Sequence, residues 1–183
     1  MKLLNFISKK SNKLNIIIGI LFILLINIVI FPYFSFENVS IKSILDLRFG
    51  FSKEDVLSLL SSMKENGRKR YLLTTLSIDT PYALFYGLIY TFIIEKLSKD
   101  TFIKSFPYLI LIPLFISIFD LLENSGIIYF CLKFPDINNR IVTIFSFANQ
   151  LKWVFGFLTL TVISILILNK LITKSASSNV YKK

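Results

Sequence analysis

Four long apolar runs constrain the fold of this chain more than any other feature of its sequence. They lie near residues 14–34, 71–94, 107–132 and 141–169. A helix rises about 1.5 Å per residue, so about 20 apolar residues cross the roughly 30 Å hydrocarbon core of a bilayer. A mean hydropathy of +0.67 also exceeds that of soluble domains. The sequence predicts an all-α polytopic membrane protein, a four-transmembrane-helix bundle in one domain over residues 1–174, with a disordered tail over 175–183.

The first apolar run follows four lysines and therefore looks like the start of a secretory signal peptide. A cleaved signal peptide needs small residues at its cleavage site. Here the chain continues with FPYFSFENVS, which contains no such site. We therefore expect the first run to be a retained membrane span.

The formal net charge of +10 comes mainly from Lys and Arg beside the apolar runs, and no separate basic domain is present. Anionic lipid and the positive-inside rule account for this distribution. The expected partner is therefore the lipid bilayer and not nucleic acid. Lysines concentrate in the N-terminal tail, in the segment 95–106 and in the C-terminal tail, and this pattern predicts that both termini lie on the cytoplasmic side of the cell membrane. Arg68, Lys69 and Arg70, beside the second run, are a signal for the opposite orientation.

The chain contains no histidine and a single cysteine, Cys131. An internal disulfide is excluded, and the commonest metal ligand and usual proton carrier at neutral pH is missing. The sequence also has no Gly-rich phosphate loop and no nucleophile elbow. It therefore predicts no metal and no cofactor, and it assigns no catalytic residue.

A loop over residues 36–70 separates the first two spans and contains a predicted amphipathic helix at 53–66. Ser52 and Asp55 fit a capping box at its start, and Gly67 fits the position just beyond its end. Its apolar face consists of Val56, Leu59, Leu60 and Met63. This face is expected either to lie on the membrane surface or to cap the bundle.

Polar residues occur at similar depths in three of the predicted spans. Counted from the predicted outer ends of the spans, Asp79, Glu123 and Asn149 lie about 12 to 14 Å into the membrane. Asp120 and Lys152 lie one turn deeper, at about 17 Å. The candidates for ligand binding or proton handling are Asp79, Asp120, Glu123, Asn124, Asn149 and Lys152. Helical spacing puts those of each span on one face, so the three faces are expected to meet in one cavity. Tyr82, Tyr86 and Trp153 are the expected cavity-lining residues.

An isolated charge inside hydrocarbon costs at least about 2.5 to 3.5 kcal/mol, so this polar layer needs an explanation. A functional site is one explanation. The alternative is a structural ion pair between Lys152 and the acids that fixes the packing of the helices. The sequence leaves both explanations open.

The order GRKRYLLTTLSIDTPYALFY, DLLEN, FPDI and NQLKW, over Gly67 to Trp153, resembles a group of small bacterial four-span membrane proteins. The resemblance implies the four-span fold and carries over no activity. The chain is more loosely similar to emopamil-binding and sigma-2 type proteins, which also have four spans with intramembrane acids near proline and aromatic residues. That similarity implies a lipid ligand or an isomerase by analogy only.

Three functions remain open at this point. The site could bind a small amphipathic or cationic, lipid-like ligand or handle protons, with or without catalysis. A proton- or cation-coupled transporter would require a homo-oligomer, because four spans are few for alternating access. A non-catalytic subunit would use the loop helix to dock a membrane-protein partner.

Overall fold

The computed structural model describes residues 2–33, 44–99, 101 and 107–180, with residues 174–180 described by their backbone alone. Within these residues, every helix longer than a single turn belongs to one of six segments: α1 (Lys2–Lys10), α2 (Lys13–Tyr33), α3 (Lys53–Ser62), α4 (Lys64–Ser98), α5 (Pro107–Lys133) and α6 (Asn139–Val180). The described part of the chain has no strand, which confirms the predicted all-α fold. Helices α2, α4, α5 and α6 are long and apolar enough to cross a membrane.

Helix α5 is the central element of the bundle. It packs against α6 on one side and against α4 on the other, whereas α1 and α2 pack mainly against α4. Half of the apolar stretch of α5 is buried inside the protein, but the corresponding stretch of α2 is almost entirely exposed. Exposed Leu and Ile side chains along α2 and α6 are expected on helices that face lipid.

Two clusters of buried apolar residues close the bundle at its two ends. The loop-end cluster joins α3 to the neighbouring ends of α4, α5 and α6, and it includes Leu60, Tyr71 and Phe130. The terminal-end cluster joins α1 to the opposite ends of α4, α5 and α6, and it includes Ile7 and Leu166. The polar residues of the spans lie between the two clusters.

The predicted loop helix forms, but its end differs from the prediction. Ser52 and Asp55 make both hydrogen bonds of the capping box, at 3.1 and 2.8 Å. Helix α3 then ends at Ser62, and α4 begins at Lys64 after a tight turn, so residues 64–70 belong to α4 and not to a loop. Gly67 lies inside α4, where a Cβ atom would meet the Cβ of Met63 at 3.0 Å. This glycine therefore allows the close turn and does not end the helix.

The apolar face of α3 caps the bundle, which decides between the two alternatives left open by the sequence. Val56, Leu59, Leu60 and Met63 are all buried in the loop-end cluster. A satellite helix of ten residues is too short to be stable alone, so this burial is what stabilises it.

Two further differences concern the ends of the chain. Residues 175–180, predicted as a disordered tail, continue helix α6, because the sequence SASSNV contains no Gly or Pro and an existing helix extends one residue at a time. Residues 181–183 lie outside the described part. Helix α1 was not predicted, since nine residues with four lysines nearby resemble a flexible tail. Its Ile7 side chain is fully buried against α4 and α6.

Candidate functional site

A cavity of about 450 Å³ lies in the middle of the bundle. All four spans contribute to its wall, together with residues that precede α3. We call residues 44–51 the loop strap. Most of the cavity surface is apolar, but three carboxylates and one ammonium group also line it: Asp46, Asp79, Asp120 and Lys152. A mostly apolar concave site with a few polar groups is typical of a small-molecule site.

Asp79 is positioned by an irregular turn of α4. Residues Thr75–Asp79 form a wider turn with i to i+5 hydrogen bonds, just before Pro81. Proline has no N–H and its ring pushes against the preceding turn, so a regular helix would leave carbonyl groups unpaired. Here Thr80 Oγ1 donates a hydrogen bond to the Thr75 carbonyl at 2.8 Å. The wider turn therefore keeps the backbone satisfied and leaves Asp79 at the cavity wall.

Tyrosine side chains of α4 form an aromatic wall of the cavity. The ring centroids of Tyr82 and Tyr86 are 5.1 Å apart, and those of Tyr86 and Tyr90 are 5.9 Å apart. Tyr86 donates a hydrogen bond to Asp120 Oδ2 at 2.6 Å, and Asn27 of α2 donates to the Tyr82 hydroxyl. The hydroxyl groups thus fix the orientation of two of the three rings.

Lys152 connects the acids of α5. Its Nζ atom is 3.3 Å from Asp120 Oδ1 and also contacts Glu123 Oε2. Glu123 is fully buried behind the cavity wall, and its Oε1 accepts a hydrogen bond from Asn149 Nδ2 at 2.7 Å. Lys152 therefore shares one positive charge between two carboxylates.

Asp79 differs from the other acids of this region. No described residue gives its side chain a hydrogen bond or an ion pair, although its carboxylate lines the same cavity as Lys152. Asp46, by contrast, accepts a hydrogen bond from the Tyr71 hydroxyl at 2.6 Å. The other oxygen of Asp46, Oδ1, has no hydrogen-bond partner among the described residues. Asp79 is therefore the cavity acid for which no described residue engages either carboxylate oxygen.

The loop strap is held against α6 by hydrogen bonds from polar side chains. Asn149 Oδ1 accepts from the Gly50 N–H at 2.6 Å, and Ser146 Oγ accepts from the Phe51 N–H at 2.7 Å. Lys152 Nζ donates to the Asp46 carbonyl at 3.1 Å, and Trp153 Nε1 donates to the Arg48 carbonyl at 2.7 Å. Asn149 and Lys152 of α6 thus contact both the loop strap and the carboxylates of α5.

The structure brings most of the predicted site residues together. Asp79, Asp120, Lys152, Tyr82, Tyr86 and Trp153 line the cavity, and Glu123 and Asn149 adjoin it through Lys152. Asn124 is buried next to the cluster but is not part of the wall, and neither of its side-chain polar atoms has a hydrogen-bond partner in the described part of the chain. It therefore does not join the network.

Sequence reasoning missed Asp46 and Asn27, and it left Tyr90 out of the expected cavity-lining residues. Asp46 was assigned to an extramembrane loop, although an acid inside the apolar sequence ILDLRF could have marked it. Asn27 is the only polar side chain in the central part of the first apolar run, which was a usable signal. Tyr90 follows Tyr82 and Tyr86 at helical spacing and extends their face by one turn.

The cavity acids are not arranged as a metal site. Among the described residues, no group of three or more Asp, Glu, Cys or His side chains is placed to hold a metal ion. Lys152 lies where a bound cation would otherwise balance Asp120 and Glu123.

No family model, no curated protein and no solved structure matches this chain. The resemblance to small bacterial four-span proteins therefore stays a prediction, and the function must be argued from the cavity.

Proposed function

We propose that this protein binds a small, cationic, amphipathic molecule of lipid-like character in the cavity between its membrane-spanning helices. The observation that carries the proposal is the Asp79 carboxylate, which lines the cavity without a partner among the described residues. A carboxylate at this depth is costly unless it is paired, protonated or hydrated. A ligand ammonium group would supply the missing partner.

The charge around the cavity supports a cationic ligand over an anionic one. Asp46, Asp79 and Asp120 line the cavity and Glu123 lies directly behind it, whereas Lys152 is the single basic side chain in the described part of the wall. Lys152 is already shared between Asp120 and Glu123. An anion would therefore meet an acidic wall without a free positive group to bind it.

The aromatic wall supports the same ligand class. Ammonium groups are attracted to the faces of aromatic rings, and cages of such rings are a common way to bind methylated amines. Tyr82, Tyr86 and Tyr90 present a row of rings beside Asp79, and the first two are held in place through their hydroxyl groups. Such a rigid wall lowers the entropic cost of binding.

Proton handling is the second candidate, because one chain of contacts favours it. Tyr86, Asp120, Lys152, Glu123 and Asn149 contact one another in this order and cross from α4 through α5 to α6. Contiguous polar groups of this kind can transfer protons inside a membrane. A transporter that uses this series of contacts would require a homo-oligomer. An amphiphile bound at Asp79 would be compatible both with proton handling and with ligand binding alone.

A role as an assembly subunit has less support. The docking face that the sequence suggested for it, Val56, Leu59 and Met63, is buried inside the protein. A membrane-protein partner would have to use another surface. We further propose that the protein lies in the bacterial cytoplasmic membrane with both termini cytoplasmic, because the lysines of α1 and of the α4 C-terminus lie at the same end of the bundle.

The proposal can be tested with the fluorescence of Trp153, which is the only tryptophan of the chain and lines the cavity. The protein in phosphatidylcholine nanodiscs is titrated with a brominated dodecyl-trimethylammonium and with a brominated dodecanol of the same length. We expect saturable quenching by the ammonium compound at low mole fraction, above the linear quenching that lipid contact causes.

The Asp79→Asn variant should weaken this saturable binding by about 10- to 150-fold, because interactions with a charged group contribute about 1.5 to 3 kcal/mol. Glu65→Gln is the matched control, since it removes an exposed carboxylate from the same helix. If the ammonium compound and the alcohol give the same linear quenching in all three proteins, the proposed function is wrong.

A further inference from the structure

In the described part of the chain, packed residues lie at both ends of the cavity. At one end, the loop strap lies across it and is hydrogen-bonded to α6 through Asn149 and Trp153. The loop-end cluster lies next to the strap. At the other end, the terminal-end cluster joins α1, α4, α5 and α6. A molecule from either aqueous side would have to separate one of these packed ends.

The side between α2 and α6 is different. Helix α2 packs mainly against α4 and makes little contact with α6, although both helices line the cavity. On α6, the cavity residues Trp153 and Leu160 are 41% and 56% exposed. Trp153 and Leu47 are also shared with an apolar groove on the outer surface of α6, which includes Phe157. The cavity wall is thus continuous with the lipid-facing surface at this place.

Gly156 lies at the rim of the same opening. A Cβ atom added to Gly156 would have no described heavy atom within 4 Å, although the residue lines the cavity. The glycines at helix contacts behave differently: a Cβ at Gly126 would meet Phe145 Cγ at 2.3 Å, and one at Gly87 would meet Ser117 Oγ at 1.9 Å. Close packing therefore explains why Gly87 and Gly126 are glycines. At Gly156 no described neighbour excludes a side chain, and the glycine leaves that space empty.

We infer that the cavity opens sideways into the bilayer between α2 and α6, and that Gly156 determines how bulky a chain can pass. This inference deepens the proposed function, on which it rests: the ligand is a single-chain amphiphile whose polar end reaches Asp79 while its alkyl chain leaves the cavity over Trp153 and Gly156. A cavity closed to water and open to lipid takes its ligand from the membrane.

The test uses a cysteine placed inside the cavity. Cys131→Ala removes the single native thiol, and Ile116→Cys places a new one in the cavity wall. The protein in nanodiscs is treated with dodecyl methanethiosulfonate, which enters the bilayer, or with a trimethylammonium methanethiosulfonate, which stays in water. The cationic reagent is chosen because the acidic wall does not repel it. An exposed cysteine at Glu65→Cys shows that it is active.

We expect the dodecyl reagent to modify Ile116→Cys and the water-soluble reagent to leave it unmodified. Adding Gly156→Phe should slow the dodecyl reaction by about tenfold or more, which corresponds to about 1.4 kcal/mol of added barrier. Gly156→Val should give an intermediate rate, and it replaces the Phe variant if that one does not fold. Leu168→Phe, on the exposed face of the same helix, should leave the rate unchanged.

Each contrary result has a definite meaning. Fast modification by the water-soluble reagent would show an aqueous opening, and no modification by either reagent would show a closed cavity. An unchanged dodecyl rate in both Gly156 variants would show that the entrance lies elsewhere. All three overturn the inference but leave the Trp153 quenching result intact. If the Gly156 variants slow the dodecyl reaction but quenching of Trp153 is never saturable, the sideways opening is supported and the proposed function is wrong.

Discussion

Replacing Lys152 by methionine should be one of the most destabilising single changes in this protein. The side chain is almost completely buried and contacts Asp120 and the fully buried Glu123. Methionine keeps most of the side-chain volume but leaves two carboxylates without their cation. Removing one partner of a buried ion pair typically costs about 3 to 5 kcal/mol. The hydrogen bond from the charged Nζ to the Asp46 carbonyl is lost as well, and hydrogen bonds to charged groups contribute about 1.5 to 3 kcal/mol.

A surface ion pair on α4 provides the matched control. Lys69 lies 2.9 Å from Glu65 and is 68% exposed. Exposed pairs of this kind contribute about 0 to 1 kcal/mol, so Lys69→Met should change stability little. The contrast between two Lys→Met changes, one buried and one exposed, separates the loss of the ion pair from the general effect of removing a lysine.

The measurement is reversible unfolding in mixed micelles, followed by circular dichroism. It compares the wild type with the control Lys69→Met and with the variants Lys152→Met, Glu123→Gln and Lys152→Met/Glu123→Gln. We expect the double variant to be more stable than the sum of the two single losses predicts, by about 0.5 to 3 kcal/mol, because removing both partners leaves fewer unpaired buried charges. If Lys152→Met unfolds like the wild type and like Lys69→Met, Lys152 does not neutralise the acid cluster and our reasoning about the site is wrong.

Three further predictions concern other parts of the molecule. Gly156→Ala should raise the free energy of unfolding by about 0.5 to 1 kcal/mol, since alanine favours a helix and its Cβ would meet no described atom. Gly126→Ala should lower it by about 1 to 3 kcal/mol, because its Cβ would clash with Phe145. Unfolding in mixed micelles measures both changes. The hydrogen bond from the Ser52 backbone N–H lowers the pKa of Asp55 in the folded protein. The stability that this carboxylate contributes is therefore fully present above the pKa of Asp55 in the unfolded chain, and it is lost as the pH falls through the lower folded pKa. The melting temperature of the wild type, but not of Asp55→Asn, should show this loss. Ser146→Ala should leave the Phe51 N–H unpaired and expose the loop strap to faster hydrogen exchange at that amide.

The helical fold could be predicted because its physical cause is local. A run of about 20 apolar residues has one stable arrangement in a bilayer, and the capping box at Ser52 depends on residues three positions apart. The gathering of Asp79, Asp120 and Lys152 into one cavity also followed from helical spacing. The role of residues 44–51 did not, because its hydrogen bonds join positions about 100 residues apart in the chain. No local pattern at Gly50 or Arg48 indicates which carbonyl or N–H will meet α6.

The structural and the functional explanations of the polar layer apply to different residues. Asn149, Lys152 and Glu123 satisfy one another and hold the loop strap, so their removal is expected to damage the fold. Asp79 lies in the same cavity, yet no described residue uses its carboxylate. Asp79 is only half-buried, but its carboxylate lies within a membrane-spanning helix, where a charge without a partner is costly, and ionisable residues kept at such a cost are concentrated at functional sites. Asp79→Asn should therefore fold at least as stably as the wild type and still lose ligand binding, a combination that a purely structural acid would not give.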